Sequence, residues 1–215
     1  VAAEVRDASR QLVSLYGPVA AEGAALFFET QRPQPGARAV LATPSIGDRL
    51  AADLGWVLAP IFNPDASLSP QAEMLSRLGD VIQGHVAASD RSTLLLSSAE
   101  DPTSQGVRRY ARAGACAFCA YLTTVEATVY DDTHWHDNCT CVNVPWWEDN
   151  PLPPSEVQDG YADAAERARE ELMRLQRELR PAGMRRRNFF KLRPDLAVNT
   201  KNIARLMRAD LGLSH

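Results

Sequence analysis

Four cysteines and two nearby histidines are the residues of this 215-residue chain best placed to do chemistry. Cys116-Ala117-Phe118-Cys119 is followed, sixteen residues later, by His136-Asp137-Asn138-Cys139-Thr140-Cys141. A CxxC pair is a turn whose two sulfurs can converge on one ion, and a second cluster about fifteen residues on can close the tetrahedron that zinc prefers. Five close candidates, Cys116, Cys119, His136, Cys139 and Cys141, compete for four places, with His134 as a sixth. We read Cys116, Cys119, His136 and Cys139 as the set, with Cys141 able to replace either of the last two. Such a set leaves no position for water, which makes the zinc structural. Metal binding then belongs to folding, since zinc contributes on the order of 10 kcal/mol or more in small modules. Two disulfides are the alternative, but four cysteines within 26 positions, beside two histidines, favour metal in a chain of this size.

The sequence specifies no catalytic set. His85 lies between Gly84 and Val86, close to an apolar helical stripe, where a core or boundary role is the commoner one. Ser45, Ser97 and Ser98 sit in no nucleophile elbow, and no Gly-rich phosphate loop is present. Catalytic and cofactor-binding residues are therefore assigned to none.

The elements that must position the cysteines are mainly helical. Val5, Ala8, Leu12, Leu15, Val19, Ala24 and Phe27 recur at helical spacing, which predicts a core-facing helix over 3–31, bent or divided at Gly17-Pro18. Leu50, Leu54, Val57 and Leu58 mark a second helix. Ser69-Pro70 is a helix start, with Met74, Leu75, Leu78, Val81, Ile82 and Val86 as the buried stripe of a helix running on through Leu94 to Leu96. Asp101-Pro102 and Gly106 end it. A hairpin or knuckle is expected from Tyr121–Tyr130 and Val142–Trp147. Tyr161–Arg180 is a long helix rich in Ala, Glu, Arg and Leu, and Thr200–Leu211 a short final one with Ile203, Leu206 and Met207 on one side. The fold class is thus mainly α, with a helical domain over 1–106, a small α+β zinc module over 107–147, and a linker, long helix and basic helical tail over 148–215.

The net charge of −4 is uneven. Pro181 to His215 holds eight basic residues against two acids, +6, which leaves −10 on the first 180 residues. Arg185-Arg186-Arg187 precedes Phe189-Phe190, and residues 185–208 can neutralise phosphates non-specifically, with the aromatics anchoring on bases or a surface. Pairing of these arginines with the acidic body is the other reading. Trp135, Trp146 and Trp147 are read as rings packing over the zinc module rather than as a partner-binding cluster. No apolar run approaches the roughly 18 to 20 residues of a membrane span, so we expect a soluble protein of a reducing compartment with no membrane partner.

Arg108-Arg109-Tyr110-Ala111-Arg112, Ala115-Cys-Ala-Phe-Cys-Ala120 and Trp135-His-Asp-Asn-Cys-Thr-Cys141 resemble the MuF-like minor capsid proteins of tailed bacteriophages, especially those of actinobacterial hosts. Only the cysteine segment is specific; Leu54 to Phe62 is similar more weakly. The resemblance implies a virion component inside the phage head, assembled in the host cytoplasm, associated with portal protein or major capsid protein and acting in head morphogenesis. Proteins of this type are also labelled capsid maturation proteases, an alternative for which the chain shows no catalytic residues. A zinc-containing DNA-binding regulator is the second alternative, disfavoured because the basic charge lies in the tail rather than around the cysteines.

Overall fold

In the computed structural model, which describes residues 2–34, 38–44, 47–63, 69–124, 141–152 and 154–212, the chain is mainly helical. It divides into two compact units. The first is built from Val1–Val107 and Asn143–Leu152, the second from Arg108–Ala127, Thr140–Val142 and Pro153–His215. The segment 107–147, expected as one module, contributes residues to both.

In the first unit, α1 (Ala2–Gln31) and α2 (Asp48–Phe62) pack on α3 (Pro70–Glu100). α3 begins as its sequence predicts, with Ser69 at the N-cap and Pro70 in the first turn, where a missing N–H costs nothing. Leu50, Leu54 and Val57 of α2 meet Val13 of α1 and Val81 of α3, with Met74, Leu78 and Ile82 packed around them. A second cluster joins Ala24, Phe28, Leu94, Leu95, Val107 and Trp147.

α1 departs from expectation in two ways. It runs unbroken through Pro18, and its core face is Ser9, Val13, Gly17, Ala21, Ala24 and Phe28. Of the predicted stripe only Ala24 is buried there, while Leu12, Leu15, Val19 and Phe27 are exposed. Small residues explain the choice of face. Segment 38–44 passes so close that a Cβ on Gly17 would lie 2.6 Å from Cγ of Pro44 and 3.1 Å from Oγ of Ser89. This segment has no strand partner, and side chains satisfy its amides: Val40 N–H donates to Ser97 Oγ (2.9 Å) and Ala42 N–H to Thr93 Oγ1 (3.0 Å). Buried Ser97 thus has a structural task.

Where α1 and α3 end, Asp101 collects donors. Arg32 Nε–H reaches its Oδ2 at 2.6 Å, Trp147 Nε1–H the same oxygen at 3.1 Å, and Thr103 N–H and Oγ1–H reach Oδ1 at 3.0 and 2.7 Å. Trp147 also packs on Phe28, ring centroids 5.3 Å apart. Its ring belongs to the core of the helical unit, not to a cover over the cysteines; Trp135 lies outside the described residues.

Two strands, β1 (Gly106–Tyr110) and β2 (Val142–Trp146), pair as a two-stranded sheet, and the division between the units runs through both. Val142–Trp146 therefore pairs with Gly106–Tyr110 rather than with 121–130, where Tyr121 and Leu122 are helical and 125–130 lie outside the described residues.

The second unit holds α4 (Ala117–Leu122), α5 (Glu156–Leu179), α6 (Arg186–Leu192), a 3-10 turn (Pro194–Leu196) and α7 (Thr200–Leu211). α5 starts five residues before the predicted Tyr161 because Ser155 caps it, accepting from Gln158 N–H. α7 matches its predicted bounds, capped by Asn199 and closed by Gly212 in the left-handed region. It packs on α4 and α5, burying Ile203 and Met207. The basic tail is consequently no appendage: Phe189, Leu196, Asn202, Ile203 and Met207 are buried in this unit.

Candidate functional site

The cysteine segment is shaped from the chain on either side of it. After β1, residues 111–115 form a turn in which Ala115 N–H donates to Arg112 O at 3.1 Å and Gly114 takes φ +74°, a conformation that side chains resist. α5 grips this turn. Gln158 Nε2–H donates to Ala111 O at 2.6 Å, and Tyr161 Oη–H donates to Arg112 O at 2.8 Å. The two α5 side chains fix the approach to Cys116, and neither was singled out from sequence. The signal was Ser155-x-x-Gln158, a capping pattern at the head of α5.

Cys116 then caps α4. Its Sγ accepts the N–H of Cys119 at 3.4 Å, so the two residues of the CxxC lie on one turn. An N–H directed at a thiolate offsets its charge and orients it, the support that ligating sulfurs draw from the surrounding backbone. Ala117, Cys119 and Ala120 are buried against α5 and α7, and Thr123 closes the short helix by donating to Ala120 O at 2.8 Å. Cys116 is half-buried; Cys141 is buried and belongs to the same unit.

His134, His136 and Cys139 lie outside the described residues. Among the described residues no group of three or more His, Cys, Asp or Glu side chains converges as a metal site. The CxxC turn, with its soft donors and its N–H to sulfur bond, fits half of a zinc site. The remaining two ligands would come from His136 and Cys139, with Cys141 able to replace either.

Other predicted groups find different roles. His85 is buried on α3, with Nε2 2.8 Å from Oδ2 of Asp53 on α2, a partner that sequence reading had not named. Among the described residues no serine hydroxyl reaches this histidine. Ser89, one turn further along α3, is buried with its Oγ unpartnered, and so is Ser98. Ser45 lies outside the described residues.

In the basic segment, Phe189 is buried and Phe190 half-buried, with the Arg186 guanidinium 5.3 Å over the Phe190 ring. The Phe189 ring is committed to the core and cannot stack on bases. Asp195 pairs with Arg193, and Asp210 with Arg167 of α5. Arg185, Arg187, Lys191 and Lys201 are exposed.

Among the described residues no helix is long and apolar enough to cross a membrane. Searches of curated proteins and of solved structures give no match. The family model described as VG15 protein covers residues 1–172, which takes in the helical unit, the CxxC turn and most of α5, and the chain belongs to this family of phage gene proteins.

Proposed function

We propose that this phage protein is a non-enzymatic minor capsid protein of the MuF-like kind, associated with the portal inside the head and acting in head morphogenesis. Its mid-chain segment would carry a structural zinc held by Cys116 and Cys119 with two of His136, Cys139 and Cys141. The observation that carries the reading is the CxxC turn at the head of α4, reached by a turn that α5 braces and packed on α5 and α7, within a chain of a phage family. Bound zinc would supply a fixed cross-link between this turn and the chain before Val142, with no open coordination position. The exposed basic residues of 185–201 support non-specific contact with packaged DNA.

Co-expression with the portal and major capsid proteins tests the role. The protein should enter assembled heads and co-purify with portal. Absence from heads, or specific cleavage of the capsid protein abolished by His85→Ala, would sink the structural reading and favour the protease. The DNA contact has its own test. The triple change Arg185→Ala, Arg186→Ala and Arg187→Ala should reduce the slope of log K against log salt by about 2 to 3. An unchanged slope would remove these arginines from the contact.

A further inference from the structure

The residues predicted to bury α1 instead form a second apolar stripe facing solvent. Leu15 is 61% exposed, Val19 61%, Leu26 64% and Tyr16 51%, with Leu12 and Phe27 near two-fifths. They lie along sixteen residues of one continuous helix at helical spacing, with Gly23 in the gap between Val19 and Leu26, on the side away from the core face set by Val13, Gly17, Ala21, Ala24 and Phe28. Together they expose roughly 600 Å² of mostly apolar surface, at the upper limit of what an ordinary monomer leaves in one patch.

Gly23 lies within the stripe and is exposed, and nothing stands within 4 Å of the place its Cβ would occupy. Glycine weakens a helix interior, and no neighbour within the chain requires it here, unlike Gly17. A small residue on an exposed apolar face instead provides room for an incoming side chain.

We propose that this face is the docking surface for a second copy of the chain, α1 against α1 and antiparallel. The stripe is self-complementary in that arrangement. A two-fold axis at Val19 sets Val19 against its counterpart, Leu12 level with Leu26, and Tyr16 beside the gap left by Gly23. A two-fold interface of this kind uses one patch twice. The area suffices, since two such patches bury roughly 1,200 Å², the lower bound of a stable protein interface.

Sedimentation velocity of the full chain across the micromolar range tests this. A dimer is expected, at least about tenfold weaker in Val19→Glu and in Leu26→Glu, and unchanged in Leu75→Glu, which alters an exposed leucine on α3. Gly23→Leu should weaken it similarly, and adding Tyr16→Ala should restore it by moving the bulk across the axis. Helical circular dichroism equal to wild type shows that each variant keeps its fold. A monomer at every concentration, or a dimer equally tight in Val19→Glu and Leu26→Glu, overturns the proposal. Failure of Tyr16→Ala to rescue Gly23→Leu overturns the register.

Discussion

Replacing Asp101 by alanine should cost more stability than any other single truncation in the helical unit. The Asp101 side chain is 0% exposed and that of its partner Arg32 8%. The carboxylate accepts from Arg32, Thr103 and Trp147, tying the end of α1 and the end of α3 to the chain that follows β2. Its loss leaves a guanidinium buried without a counter-charge and an indole N–H without an acceptor. Breaking a buried pair in this way costs about 3 to 5 kcal/mol, against a total of about 5 to 15 kcal/mol for a typical domain. Urea unfolding followed by tryptophan fluorescence and far-ultraviolet circular dichroism measures it. Asp101→Asn, which keeps an acceptor but loses the charge, should fall between wild type and alanine. The double change Arg32→Met with Asp101→Leu should recover the part of the loss that comes from the orphaned guanidinium, but not the part from the unpaired Trp147 Nε1–H and Thr103 N–H. A loss below about 1 kcal/mol in Asp101→Ala would refute the argument that this buried pair organises the unit.

The same carboxylate makes the unit acid-sensitive. Burial alone would raise its pKa, but the Arg32, Thr103 and Trp147 donors outweigh it and hold Asp101 well below the usual carboxylate range. A group depressed in the folded state stabilises fully above its unfolded pKa of about 3.9, so this contribution should fade as pH drops below about 4, and an acid titration of Asp101→Asn should lack that component. Gly17→Val should destabilise by about 1 to 3 kcal/mol in thermal unfolding, because the new Cβ meets the rigid Pro44 ring; Gly160→Ala, with no atom within 4 Å, should stabilise α5 by about 0.5 to 1 kcal/mol. Met207→Ala should cost about 2 to 5 kcal/mol in the second unit, and removing 181–215 should unfold it, as seen by loss of protease resistance from Arg108 onward.

Helix positions were legible wherever a cap or a one-sided stripe marked them. α3 with Ser69-Pro70, α2 with its four leucine and valine positions, and α7 with Ile203, Leu206 and Met207 on one side all lie where cap and periodicity put them. The face of α1 was not legible, because that helix is apolar on two sides and hydrophobicity favoured the larger residues. Packing chose the smaller ones, since only Gly17 and Ala21 let neighbouring backbone come close. α5 was cut short because Pro151, Pro153 and Pro154 drew the linker too far and the Ser155 cap was passed over. The basic tail looked detachable by charge alone, but Phe189 of α6 and Asn202, Ile203, Ala204 and Met207 of α7 are buried between the arginines. Of the cysteine site, sequence identified the CxxC turn; the Ser155-x-x-Gln158 pattern marks the head of α5, but that Gln158 and Tyr161 reach the 111–115 turn depends on tertiary contact.

Zinc content of the purified full chain, measured by elemental analysis for wild type and for Cys116→Ser, Cys119→Ser, His136→Ala, Cys139→Ser and Cys141→Ser, tests the account most directly. The account predicts about one zinc per chain, lost with either residue of the CxxC turn and with two of the other three. Protein purified without chelator that contains no metal, with its cysteines as thiols or in disulfides, would contradict it.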